Sequence, residues 1–448
     1  MTTFLITLLL VFGLSTLIWT SAGLIRLVAA RLAPRPGSAL RGSAPRASAP
    51  RASAPRGSAP RASALAGGRP ERDRVAVLMA AHDEEPVIGA TLAALQELEA
   101  GVQLFLVSDG STDATARIAR EHGASVLELT PNRGKAGALV EAIRHFELAE
   151  RFDVVMLLDA DTRLAPDYFE TGLRAFDDPG VVAVAGRATT LLTPRSPTVT
   201  GRVLVAYRER VYVAMQYLFK FGQAGRFANA VPIVPGFASM YRTRILADID
   251  IAAPGLKIED YNMTFEVHAK RLGRIAFHPH SAIAHTQDPD ELVDYVKQVE
   301  RWNLGFWQTV LRHRFRFSTF WLALSLFIVE LLVSSVVLVL VLPAVAVSTS
   351  LALAGELGLP AGAPLDAVPD ALPPLALVLG VIVPDYLLTL LAAVVSRRVS
   401  YLVYGLVFPV LRVVDALLCL VALYKAGSRR STGQWTSPSR RPLSPTPG

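Results

Sequence analysis

Carboxylates recur along the first two thirds of this chain in an order that could serve transfer chemistry. Asp109 follows an apolar run, Asp159-Ala-Asp161 follows another, and Glu259-Asp260 comes next. Gln298-Val-Glu-Arg301-Trp302 then stands before a long apolar stretch. Two carboxylates one residue apart at a strand end can hold a hard divalent ion shared with a diphosphate, whose oxygens complete the octahedral shell magnesium demands. A helix-capping or loop pair is the plainer reading of the same residues. Asp260 stands at the start of a helical stretch, where a carboxylate either caps the helix or acts as a general base. Gln298, Arg301 and Trp302 fall within about one helical turn of each other. They offer an amide, a guanidinium for phosphate and an indole for the face of a sugar. Trp302, Trp307, Arg312, Arg314 and Arg316 also read as interfacial anchors, and both readings hold together.

Two further motifs are weaker. Asp109-Gly-Ser-Thr-Asp113 ends a strand and opens a helix, so its first carboxylate can accept hydrogen bonds from a sugar or base; an ordinary Asp-Gly turn fits as well. Asn132-Arg-Gly134-Lys135-Ala-Gly137 offers close backbone approach and a lysine for phosphate. Its glycine spacing matches neither the phosphate-loop nor the dinucleotide pattern, so no Walker-type NTPase is indicated. His278, His280 and His285 lack the spacing of a zinc site and read as packing or surface residues. The single cysteine, Cys419, excludes an intrachain disulfide framework or thiolate cluster and reads as a packing or lipid-facing residue.

These residues need a scaffold, and the pattern supplies one. Val75–Met79, Gln103–Val107 and Val154–Leu158 read as buried parallel strands. Ala90–Leu98, Thr112–His122 and Ala136–Glu147 read as helices between them, and Tyr261–Lys270 as another. Right-handed β-α-β units place ligands at the C-terminal strand ends.

At 448 residues and 52% hydrophobic content, the chain has room for a soluble α/β domain and membrane spans. Residues 4–24 are long enough to cross a bilayer. A cleaved signal peptide is disfavoured, because the first positive side chain, Arg26, comes after the apolar run. From Arg26 to Arg69 there are nine arginines and no acid, which places the chain beyond the first span in the cytoplasm and the N-terminus outside. Ala39–Ala64 cycles through Ala-Pro-Arg-(Ala/Gly)-Ser and reads as a disordered tether. A plain spacer is favoured there over a site for anionic headgroups or nucleic acid, and no nucleic-acid partner is expected. Three more apolar stretches, at about 320–347, 375–395 and 401–424, are long enough to span. The segment carrying Glu356, Asp366 and Asp370 lacks Lys and Arg, as an outside loop should. Four crossings would put the basic tail outside, so one stretch should not cross. Residues 401–424 are the weakest, interrupted by Pro409, Arg412 and Asp415. The expected division is a span at 1–30, a linker at 31–72, an α/β domain at 73–290, interfacial helices at 291–318, a membrane region at 319–424 and a basic cytoplasmic tail at 425–448.

From about Val75 onward, these motifs in this order resemble the membrane-bound family 2 glycosyltransferases, which include processive synthases of cellulose, chitin, hyaluronan and poly-N-acetylglucosamine. Phe408-Pro409, Glu330 and Gln434-Trp-Thr-Ser-Pro438 bring the chain nearest to bacterial poly-N-acetylglucosamine synthases. The resemblance implies an α/β GT-A nucleotide-sugar-binding domain plus transmembrane helices. It implies an inverting transfer from a UDP-sugar to a polysaccharide or lipid acceptor at the inner membrane, among membrane lipids and with room for accessory membrane or export subunits. On that basis Asp109 would contact the nucleoside, and Lys135 and Arg301 the phosphates. Asp159 and Asp161 would hold Mg2+ or Mn2+ against the diphosphate. Asp260 would be the base. Glu259, Gln298 and Trp302 would serve the acceptor, with Gly236 to Arg242 lining its pocket. Ala80 and Asp83 stand where the family usually has Pro and Asn, Ser108 where a second Asp is common, and Ile258 where Thr is usual. A single N-terminal span also departs from the two common in this group. A non-processive transferase acting on a lipid is the alternative, and a catalytically dead scaffold fits poorly with intact Asp161, Asp260 and Trp302.

Overall fold

The computed structural model describes residues 2–32, 68–99, 101–359, 361–428 and 441, with side chains from residue 13 onward. The Ala-Pro-Arg-Ser stretch at Ala39–Ala64 and the terminal Gln434–Pro438 motif lie outside the described residues, as does most of the tail.

The apolar opening folds as α1 (Thr2–Leu32), broken at Gly13, whose φ of 72° favours a residue without Cβ. The break frees a backbone donor, and Glu330 accepts the Ser15 N–H at 2.9 Å. A Cβ at Gly13 would stand 2.7 Å from the same carboxylate.

Among the described residues, ten strands follow: β1 (Val75–Ala81), β2 (Gln103–Asp109), β3 (Ser125–Leu129), β4 (Val154–Leu158), β5 (Thr162–Leu164), β6 (Val181–Ala185), β7 (Arg187–Thr190), β8 (Ala238–Arg242), β9 (Arg274–Ala276) and β10 (Ile283–Thr286). Seven form one sheet in the order β3-β2-β1-β4-β8-β6-β9, and β5-β10-β7 form a small second sheet. The β3-β2-β1-β4 half is parallel, and β1 and β4 are buried along their whole length, which is why they read as unbroken apolar runs. Beyond β4 the sheet turns antiparallel through β8.

The helices that matter for the site are α2 (Glu85–Leu98), α3 (Thr115–Glu121), α4 (Gly134–His145), α5 (Val199–Val213), α6 (Glu259–Ala269), α7 (Leu292–Arg312), α8 (Thr319–Glu356), α9 (Pro374–Val395) and α10 (Phe408–Ser428). Helix α5 continues through a π-helical turn, Ala214–Lys220, into Phe221–Gln223. Several ends differ from those the pattern predicts. Helix α2 starts at Glu85 because Pro86 is compatible with a first helical turn. Helix α3 starts only at Thr115, where Asp113 accepts that residue's N–H at 3.0 Å. Helix α6 begins at Glu259, so both carboxylates of the Glu-Asp pair lie in its first turn.

Among the described residues, three helices are long and apolar enough to cross a membrane: Gly13–Arg31 within α1, the whole of α8, and a stretch at Leu365–Val395 that contains α9. Helix α10 is not among them. Its interrupting charges are used internally. Asp415 accepts hydrogen bonds from Tyr207 at 2.8 Å and Tyr295 at 2.6 Å, while Arg412 and Arg210 pair with Asp385 of α9. These contacts tie α5 to α9, and both α5 and α7 to α10. Arg441, beyond α10, bonds Gln287 and pairs with Asp290, on the α/β domain.

Candidate active site

The polar ends of β1 and β4 face a cavity of about 500 Å³, closed by α5, α6, α7 and the Ile251–Ile258 loop. Its size suits a small ligand. Asp159 follows β4 and is held by its own N–H to the Phe237 carbonyl at 3.0 Å. Its carboxylate accepts from the Lys135 ammonium at 2.8 Å, and Glu259 lies 3.3 Å from the same ammonium. Burial alone would lower the Lys135 pKa; the Asp159 and Glu259 carboxylates outweigh it and raise it. Gly236 makes this cluster possible, since a Cβ there would come within 3.1 Å of Glu259 and 3.3 Å of Lys135. Asp161, two residues beyond Asp159, is only 4% exposed and also lines the cavity.

Asp260 lies across this cluster. Burial first, and the adjacent Glu259 charge second, push its pKa up to about 7, against the opposing pull of Lys135 and of N–H bonds from Gly236 and Tyr261. A carboxyl poised there can take a proton near neutral pH.

Helix α7 brings Gln298, Arg301 and Trp302 to the cavity wall. Arg301 has no ion pair among the described residues, and its buried Nε has no hydrogen-bond partner. Arg208 of α5 sits behind this motif, 3% exposed. Its guanidinium lies 4.3 Å from the Trp302 ring centroid and 5.0 Å from that of Tyr295. It also donates to Gln298 and stands 3.5 Å from Asp288. Asp288 accepts from Tyr212 at 2.8 Å, and its own burial raises its pKa to about 7 despite Arg208. Neither Arg208 nor Asp288 stood out in the sequence; a buried arginine ninety positions from its partner Gln298 leaves no local pattern. Lys220 and Gln223, at the end of the α5 continuation, were missed for the same reason and also line the cavity.

Three sequence assignments need correction. Arg242 does not reach the cavity: β8 runs antiparallel to β4, so Arg242 pairs with Val154 at the start of β4, and its guanidinium bonds the Val181 and Phe176 carbonyls. Gly236, just before the other end of that strand, is the part that lines the site. Asp109 is fully buried and accepts the Arg133 N–H at 2.7 Å, so it shapes the Arg133-Gly134-Lys135 turn from beneath instead of forming the wall. Trp307 is no interfacial anchor; it is 2% exposed and donates to the Cys419 carbonyl at 3.2 Å.

A parallel nucleotide-binding half-sheet, an acidic pair after its last strand, a carboxyl on a helix start and a membrane-proximal Gln-x-x-Arg-Trp helix together define a GT-A glycosyltransferase attached to membrane helices. Residues 71–305 match the family described as Glycosyltransferase like family 2, and the chain belongs to it. Among curated proteins, the poly-beta-1,6-N-acetyl-D-glucosamine synthase of Staphylococcus aureus strain COL is 27% identical over 253 residues, 55% of this chain and 57% of that protein. The synthase of the same name from Staphylococcus epidermidis is 26% identical over 246 residues, 53% and 56% of the two chains. The chain thus spans about half the length of the curated relatives it matches. Among solved structures, the mannosyltransferase PcManGT from Pyrobaculum calidifontis in complex with GDP-Man and Mn2+ is 18% identical, covering 91% of this chain and 99% of that one at a TM-score of 0.49.

Proposed function

We propose that this membrane protein is an inverting glycosyltransferase that uses a UDP-sugar, UDP-N-acetylglucosamine in our reading, to elongate a β-linked polysaccharide. The observation that carries the reading is Asp260, with its raised pKa, facing Lys135, Asp159 and the unpaired Arg301 across one cavity. The names of the staphylococcal relatives support the choice of sugar and of a polymeric product.

In this reading the acceptor hydroxyl oxygen forms a bond to the donor's anomeric carbon while the bond from that carbon to the diphosphate breaks. Asp260 takes the hydroxyl proton, and Arg301 and Lys135 meet the charge gathering on the leaving diphosphate. Displacement from the opposite face inverts the anomeric centre. Trp302, steadied by Arg208, offers its free face to the acceptor ring. Asp161 and Asp159 fit a divalent ion, Mg2+ or Mn2+, as a pair after a strand. No group of three or more His, Cys, Asp or Glu suited to a metal occurs among the described residues, so diphosphate and water oxygens would complete its shell. When bound, such an ion supplies Lewis-acid stabilisation of the leaving diphosphate. Incubating membranes that contain the protein with labelled UDP-sugars, and sizing the product, tests the proposal. A ladder of long β-linked chains is expected; a single sugar on a lipid would overturn elongation.

Arg208 should act as a positioning residue. Arg208→Met removes the cation from Trp302 and the donor from Gln298, and kcat/KM for acceptor should fall by roughly 10- to 100-fold, the scale of a small misplacement. UDP affinity should hold, and Arg208→Lys should restore part of the rate. Equal loss of UDP binding would mark Arg208 as merely structural.

The orientation follows from charge. Three crossings put the basic linker, the catalytic domain and the tail together in the cytoplasm of a plasma-membrane protein, supplied with cytoplasmic nucleotide sugar. Reporters fused after Arg69 and after Arg441 should read cytoplasmic, and one within residues 361–370 should read outside. The reverse pattern would refute this orientation.

A further inference from the structure

Two cavity-lining side chains have no role in the chemistry above. Lys220 is 7% exposed and Gln223 is 4% exposed, and they stand three residues apart on the continuation of α5. Lys220 has no hydrogen bond or ion pair among the described residues; its ammonium faces the Phe277 ring, 5.3 Å from the centroid. The buried Oε1 of Gln223 has no hydrogen-bond partner. An ammonium without a partner and a buried amide oxygen without one, a single helical turn apart, are costly to a fold unless something else satisfies them.

Gln216, on the same helix, shows what a purely structural side chain does here. Its amide accepts the Ala188 N–H at 2.8 Å and donates to the Ala188 and Tyr212 carbonyls at 2.8 and 2.9 Å. It clamps the π-helical turn to the edge of β7. The turn adds a residue to the helical repeat, and such turns frequently occur at functional sites. Beyond the clamp, the helix directs Lys220 and Gln223 toward the same cavity that holds Asp260, whose charge reaches Lys220.

We propose that Lys220 and Gln223 form a sugar-hydroxyl subsite of the catalytic cavity. A hydroxyl is both donor and acceptor: its oxygen accepts from the lysine ammonium, and its hydrogen goes to the amide oxygen. A phosphate fits poorly, because Gln223 presents an acceptor oxygen and the unpaired Arg301 already serves anions. A metal ion fits poorly beside an ammonium. The subsite takes one pyranose ring, belonging either to the donor sugar or to the acceptor end, and the assignment rests on the glycosyl-transfer reading above.

The test uses full-length protein in membranes, with Lys220→Met and Gln223→Leu, and separates the two rings. Hydrolysis of UDP-N-acetylglucosamine without acceptor reports on the donor ring. Transfer to an N-acetylglucosamine oligosaccharide reports on the acceptor ring. Loss of the ammonium contact should raise KM in one arm by roughly 10- to 100-fold, the scale of a hydrogen bond to a charged group. A rise in the hydrolysis arm assigns the donor ring; normal hydrolysis with impaired transfer assigns the acceptor ring. UDP affinity serves as the check on folding. Monodeoxy sugars distinguish contact from structure: with the hydroxyl that is read removed, wild type and Lys220→Met should perform alike. If both variants match wild type in both arms, or if no deoxy sugar abolishes the difference, the subsite is overturned while the transferase reading stands. If wild type releases UDP from no UDP-sugar, the proposed function falls and the subsite with it.

Discussion

Asp260→Asn should lower the rate of sugar transfer by about 10²- to 10⁴-fold, the usual contribution of a positioned general base, while UDP still binds. The amide keeps the shape of the carboxyl and so keeps the start of α6 intact, where the Asp260 carboxyl accepts from Tyr261 N–H at 2.7 Å. What it loses is the ability to take a proton. The pH profile gives an independent reading. Because the Asp260 pKa is raised to about 7 by burial and by Glu259, its basic form disappears as pH falls through that value, and kcat/KM should fall on the acid side with it. Glu259→Gln removes a negative neighbour, makes ionisation of Asp260 easier and should move the acid limb to lower pH. An acid limb that stays in place in Glu259→Gln, or near-normal transfer by Asp260→Asn, would remove Asp260 from the role of base.

The parts legible in the sequence were those encoded by local pattern. The strands β1, β2 and β4 announce themselves because their burial on both faces forces continuous apolar runs, and the acids just beyond them stand at the strand ends where the sheet delivers ligands. The two chemistry-bearing helix segments were also visible, since Glu259-Asp260 and Gln298 to Trp302 each fall within a single turn. The parts that stayed hidden depend on contacts between distant segments. The antiparallel course of β8 carries Arg242 to the far end of the sheet, although Gly236, six positions earlier, lines the cavity. Arg208 joins Asp288, Gln298 and Trp302 from a helix whose own sequence gives no sign of a partner. The charges in α10 look like flaws in an apolar span until Asp385, Tyr207 and Tyr295 meet them in space.

Those same contacts connect catalysis to the membrane. Tyr295 lies on α7, the helix that carries Gln298, Arg301 and Trp302, and it bonds Asp415 of α10. Lys425 of α10 pairs with Glu300, the residue before Arg301. The cavity wall and α10 are therefore held as one unit, which fixes the Trp302 indole relative to α10.

Removal of divalent metal should be nearly as severe as loss of the base. A metal ion that stabilises the departing diphosphate supplies several kcal/mol, so EDTA should reduce transfer by roughly 10²- to 10³-fold, with recovery on adding Mg2+ or Mn2+. Asp161→Ala should show the same loss without that recovery, because Asp161 is buried and lines the cavity just beyond β4, two residues from the Asp159 that pairs with Lys135. The distinction matters for assigning roles within the pair. If Lys135 must release Asp159 when a diphosphate and metal arrive, then Lys135→Met should lower the metal concentration needed for half-maximal activity even as it weakens donor binding. Measuring metal activation curves for wild type, Asp161→Ala and Lys135→Met decides the matter. Full turnover in EDTA would exclude a metal-assisted departure and leave Arg301 and Lys135 as the groups that carry the diphosphate charge.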